Sequence, residues 1–390
     1  MTVTSFDLLD VSAGIGKASW NFSSDDGIVL PGSEQWRVEL RRIRGGRSDN
    51  LEIITLDNGA LEIEVITTRG MGIWRGSCQG HRLGWDSPVK QPVHPAFVRL
   101  ESRNHLGWLD GFNEWLCRCG LAFNGPPGPD DDGSPITLHG RIANLPADKV
   151  WLEIDDSGSG SLKLTGIVDE VSMFGTNLRL TSSVTLTAGQ PVIQISDTIT
   201  NLGSAPQEYE MLYHLNQGTP FLAGGAEFLT AFREMAPRDK RAAEDFSSWN
   251  KYEPPTTGYT EQVYFFDPLT DDEGKAHVLL KNSTQNLGLG VRFETATLPY
   301  LAVWKATQDE RDGYVTGLEP CTDFPNHRSF ERREGRLKKL FPDESVTLNF
   351  EIEAATNAER LAALEQSIHD LQATTKPTIH EQPLSRFSPR

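Results

Sequence analysis

The side chains best suited to chemistry lie in a few glycine-rich segments where polar and aromatic residues crowd together, at 67–76, 84–88, 107–125, 138–147, 209–221 and 317–336. Two histidines interrupt otherwise strand-like runs, His139 after Pro-Ile-Thr-Leu and His214 after Tyr-Glu-Met-Leu-Tyr. Glu319 follows Tyr-Val-Thr-Gly-Leu and precedes Pro320, which puts a carboxylate at the end of a buried strand. Taken singly, each has two readings: the histidines are satisfied half-buried rings or acid–base groups, and the glutamate is an ion-paired structural acid or a general base raised in pKa by desolvation. Glu114, in Phe-Asn-Glu-Trp, divides evenly between ligand contact and buried ion pair. Arg141, two residues after His139, would share its side of a strand and could reach a hydroxyl or an anionic substituent.

Together these residues resemble the aldose 1-epimerase, or galactose mutarotase-like, superfamily, and within it a bacterial branch with no assigned sugar. Leu138-His139-Gly140 matches the family's first histidine stretch, Tyr213-His214-Leu215-Asn216 more loosely its second, and Leu318-Glu319-Pro320 its late apolar–Glu–Pro segment. Arg69, in Thr-Thr-Arg-Gly, matches an arginine near the first hairpin. The resemblance covers about 37–353. It implies Glu319 as general base and His214 as general acid on opposite sides of a pyranose, with His139 and Arg69 holding the sugar and no metal or cofactor. The aspartate that grips sugar hydroxyls in such enzymes has no firm counterpart, and Asp323 and Asp110 are the replacements on offer. The chemistry would be removal of the O1 proton, protonation of the ring oxygen, rotation about C1–C2 and reclosure. Two rivals stay open: a non-catalytic sugar-binding or sensor protein, and an isomerase or lyase using a metal held by His139, His214 and Glu114 or Glu319.

The elements that must carry these groups are strands. Period-2 alternation recurs from about 36 to 353, in 51–56, 60–67, 149–154, 161–168, 177–187, 191–199, 207–213, 276–281, 287–294, 299–305 and 345–353. Parallel α/β winding is excluded, because almost no helices separate the strands. The expected fold is all-β, a single large antiparallel β-supersandwich over 1–372 with an N-terminal extension of about 35 residues. One helix is expected after a Thr356-x-x-Glu359 capping box, with Leu361, Leu364, Ile368 and Leu371 on one face. Residues 373–390 have no periodic apolar face and read as a flexible, dispensable tail. Trp74, Trp85, Trp108, Trp115 and Trp304 include one or two sugar platforms among core residues.

Composition sets the outer limits. With 37 basic and 54 acidic side chains the net charge is −17, which repels nucleic acid and anionic membranes and suits a small neutral sugar. The 390 residues contain four cysteines, too few for a disulfide scaffold and without zinc-ligand spacing. A signal peptide and a membrane span are not expected, so the reading is cytoplasmic, with a homodimer left open.

Overall fold

The structure, a computed structural model, describes residues 3–244 and 246–389. Two large sheets, of ten and fourteen strands, face each other across a continuous apolar core. Alternation explains how the core is filled. Along Asn177–Thr187 every second residue is buried, so Leu178, Leu180, Val184 and Leu186 point inward. All the expected strands form, and among the described residues the strand-to-strand pairings are antiparallel except where Thr378–Ile379 runs parallel to Phe232–Pro237, with one isolated parallel bridge from Gly120 to Gly140.

Six strands of the larger sheet build the region of interest: β1 (Gly72–Cys78), β2 (Leu116–Leu121), β3 (Gln207–Gln217), β4 (Gln262–Pro268), β5 (Tyr300–Thr307) and β6 (Tyr314–Cys321). Their order across the sheet is β4-β5-β6-β3-β2-β1. Met211, Tyr213 and Leu215 of β3 face the inter-sheet core, so Leu212, His214 and Asn216 face the outer surface of that sheet.

Three expectations change. The N-terminal extension is part of the sandwich: Val3–Asp10 pairs with Lys149–Asp155 in one sheet, and Trp20–Ser23 with Arg37–Arg42 in the other. The helix, Ala358–Ala373, is capped by Asn357 accepting from the Arg360 N–H rather than by Thr356, whose hydroxyl turns to Gln79. Its expected face holds, with Leu361, Leu364 and Ile368 buried.

The tail is not loose. Phe387, only 4% exposed, inserts among Ala236, Val263, Phe265, Ala302 and Phe324. Asn326 Nδ2 donates to the Phe387 carbonyl, Arg336 to that of Arg386, and Ser388 Oγ to that of Arg238. One aromatic side chain and a few backbone bonds suffice to dock a segment without a periodic pattern.

Candidate active site

His214 lies on β3 and Glu319 on β6. The two strands pair with Leu212 opposite Cys321 and Leu215 opposite Leu318, a register that sets His214 directly opposite Glu319. Residues 105 apart in sequence thus become cross-strand neighbours. His214 Nε2 is 3.3 Å from Glu319 Oε1. Side-chain space is cleared around them. A Cβ at Gly317 would sit 2.3 Å from Glu319 Oε1 and 3.3 Å from His214 Cε1, and the residue opposite Glu319 on β5 is the small Ala302.

The protonation of the pair follows from its surroundings. Asn216 commits its amide nitrogen to the carbonyls of Glu114 and His214, so its Oδ1 faces His214 Nδ1 at 2.6 Å and must accept a proton from it. Nε2 of the neutral ring is therefore a lone pair aimed at Glu319. Burial, and then the neighbouring His139, push His214 down to about 3. Burial, reinforced by the Glu261 carboxylate, pushes Glu319 up to about 8, and Arg238 opposes this only in part. Glu319 Oε1 has no hydrogen-bond partner and Glu319 is 3% exposed. Between these limits the pair holds one proton.

His139 joins them, its ring 5.6 Å from that of His214. It does not sit on a strand: its φ is 57° and that of Gly140 is 72°, a turn pinned where the His139 N–H reaches the Gly125 carbonyl and the Gly120 N–H reaches the His139 carbonyl. Glycine is required at 140, because a Cβ there would lie 2.2 Å from the Gly120 carbonyl oxygen. His139 Nδ1 donates to the Asn124 carbonyl at 2.6 Å, leaving Nε2 as an acceptor, and burial lowers the ring's pKa. Trp108, Phe112 and Trp304 surround the histidines, with ring centroids 6.3, 5.0 and 5.3 Å from His214. Trp115 is core, donating to Gln217, and Trp85 donates to the Glu114 carbonyl.

Other expected site residues lie elsewhere. Arg69 and Glu114 form a fully buried ion pair at 2.5 Å, and Arg69 also donates to Asn144 and to the carbonyls of Val93 and Gly111. With its donors spent inside the protein, Arg69 cannot hold a sugar, and Glu114 takes the ion-pair reading. Arg141 does not share a strand face with His139, because the turn breaks the alternation, and it is exposed. Asp323 is wholly buried, accepting from Thr322 and Asn124, and Asp110 pairs with Arg103 at 2.7 Å. Cys117 and Cys119 are buried free thiols. Among the described residues no group of three His, Cys, Asp or Glu side chains could hold a metal ion.

The structure adds Glu261 and Arg238, which no motif marked. Glu261 accepts from Trp304 Nε1 at 2.6 Å and from Arg238 at 3.0 Å, placing a partly exposed ion pair beside the aromatic wall and within electrostatic range of Glu319.

A two-sheet sandwich of this topology is the galactose mutarotase-like fold, and comparison with known structures bears this out. A protein from Klebsiella pneumoniae described as a candidate aldose 1-epimerase superposes with a TM-score of 0.95 at 34% identity, over 98% of this chain and 99% of its own. A galactose mutarotase-like protein from Clostridium acetobutylicum shares the fold at TM-score 0.56 and 16% identity, over 82% and 98% of the two chains. Galactose 1-epimerase from Lactobacillus acidophilus does so at 0.52 and 11%, over 81% and 98%. Residues 48–354 match the family model "Domain of unknown function (DUF4432)", and the chain belongs to that family. A search of curated proteins finds no match. No helix among the described residues is long and apolar enough to cross a membrane.

Proposed function

We propose that this protein is an aldose 1-epimerase-like isomerase that interconverts the anomers of a sugar by ring opening. The observation that carries the reading is the His214–Glu319 pair: a buried acid and base 3.3 Å apart, sharing one proton, with a carboxylate oxygen left unpaired. O1 and O5 of a sugar hang on the same carbon, so an acid and a base side by side, rather than on opposite sides of the ring, can serve both. The reactive form of the pair is its imidazolium–carboxylate tautomer, reached when the proton resting on Glu319 passes to His214 Nε2 across the 3.3 Å between them. Glu319 takes the O1 proton as the C1–O5 bond breaks, and His214 Nε2 gives its proton to O5, yielding the open aldehyde. With a proton now on Glu319 and His214 Nε2 bare, reclosure on the other face reverses the steps: Nε2 takes the O5 proton as O5 attacks C1, and Glu319 returns its proton to O1, restoring the reactive form. His139 Nε2 accepts a hydrogen bond from a substrate hydroxyl, and Trp304, the partly exposed ring of the aromatic wall, receives the sugar's C–H face. The test is saturation-transfer NMR on a panel of aldoses, which reads α/β exchange directly. Exchange on at least one sugar that disappears in Glu319→Gln is expected; binding without exchange would favour a sensor protein.

A further inference from the structure

The register that sets His214 against Glu319 sets a second acid pair four residues along the same two strands. The ladder continues through the Thr322 N–H to the Met211 carbonyl, which brings Glu210 opposite Asp323, with Leu212 and Cys321 as an apolar spacer between the two pairs. Four residues of strand are about 13 Å, too far for one monosaccharide to touch both pairs. Glu210, Asp323 and the residue joining them, Asn124, are each 0% exposed. A ligand therefore has no route to this pair, and its role must run through what it holds.

What it holds is Asn124. The Asn124 N–H donates to Glu210 Oε2 at 2.7 Å and its Nδ2 donates to Asp323 Oδ1 at 3.2 Å. The carbonyl of the same residue takes the Nδ1 proton of His139 at 2.6 Å. Glu210 Oε1, Asp323 Oδ2 and Asn124 Oδ1 accept no hydrogen bond, and Glu210 Oε1 has only a long ion-pair contact, 3.7 Å, with Arg328 Nε. Burying two facing carboxyls with oxygens left over is costly, and a well-packed apolar pair would spare that cost. The geometry fits a unit kept for orientation.

We propose that Glu210 and Asp323 are positioning residues for His139: by clamping Asn124 from both sides they fix its carbonyl against Nδ1, so that Nε2, unprotonated, faces the substrate. This rests on the reading of His139 as part of the site, but the tautomer can be measured apart from activity. In the full chain with ¹⁵N-labelled histidine, His139 should show one protonated and one bare ring nitrogen. Glu210→Met and Asp323→Leu, which fill the space without an acceptor, should draw the two His139 signals together as tautomers mix. His214, held separately by Asn216, should keep its own split pattern. Glu210→Gln and Asp323→Asn keep an acceptor and should rescue the His139 pattern. Anomer exchange should follow, with kcat falling roughly tenfold or more in the apolar variants and KM changing less, as when a histidine loses the partner that orients it. A His139 pattern unchanged in Glu210→Met and Asp323→Leu would overturn the proposal. So would loss of the His139 and His214 patterns together, since the pair would then support the fold at large. A wild-type protein that exchanges no anomers would sink the functional reading and leave the tautomer result standing.

Discussion

Two buried acid–base pairs, one in the segments leading into β1 and β2 and one across β3 and β6, are built on opposite plans. Arg69–Glu114 is saturated: the guanidinium meets a carboxylate, an amide oxygen and two carbonyls, and Glu114 also accepts from the Asn113 N–H. His214–Glu319 is unfinished, with Glu319 Oε1 unpartnered and small residues around it. Burial is common to both. What separates a brace from a reactive group is whether any lone pair or proton is left over once the protein has satisfied itself.

The sharpest test swaps one atom in each pair. Glu319→Gln is expected to lower anomer exchange by about 10²–10⁴-fold with little loss of melting temperature. Glu114→Gln should do the reverse, costing about 3–5 kcal/mol because Arg69 keeps its charge in a dry site without a counter-ion. Equal effects of the two changes, by NMR exchange and thermal melts, would erase the distinction.

Next in size is Gly317→Ala. Its methyl would be forced against Glu319 Oε1 and His214, pushing the pair apart. Overpacking costs about 1–3 kcal/mol, and exchange should fall more steeply than stability. An alanine variant with full activity would mean that the close contact is not used.

The docked tail gives a third comparison. Deletion after Thr374 removes Phe387 from the cluster that Tyr300 and Trp304 also touch, and Trp304 borders His214 as well. A loss of about 3–5 kcal/mol, the range for deleting a buried phenylalanine, and a lower melting temperature are expected, with activity reduced through Trp304. An unchanged melt would restore the dispensable tail.

A fourth comparison is in pH. Exchange should hold level through neutral pH and decline as pH rises through about 8, where the pair loses its only proton. Stability has a definite sign. Folded Glu319 keeps its proton up to about 8, whereas unfolded it ionises near the ordinary 4.5, so its burial weakens the fold increasingly from about pH 4.5 to about 8. Glu319→Gln should accordingly match the wild type in acid and become the more stable of the two across that window. A gap that instead shrinks with rising pH would contradict the raised pKa.

The strands were legible because alternation is a local signal, and so were His139, His214 and Glu319, whose neighbours in sequence are distinctive. What could not be read was opposition. Arg69 looked like a substrate ligand because its partners come from Val93, Gly111, Glu114 and Asn144, distant positions that no local pattern links to it. Arg141 failed for a local reason, since strand parity was extended across a residue with φ of 57°. Glu261 and Arg238 carried no motif, being ordinary charged residues at strand ends. Phe387 was hidden by polar neighbours, because one buried ring leaves no periodic trace.

The cross-strand pairing of His214 with Glu319 also determines where the chain can change length. Strand faces alternate with period 2, so inserting or deleting one residue within β6 between the ladder's fixed pairs would turn Glu319 toward the inter-sheet core and bring a core residue to the surface. The same change in the turn at 130–134, on a hairpin outside this ladder, alters no parity in β3 or β6. Length variation among relatives that keep the site should therefore fall in turns, and a one-residue gap inside either strand would mark a relative that has lost it.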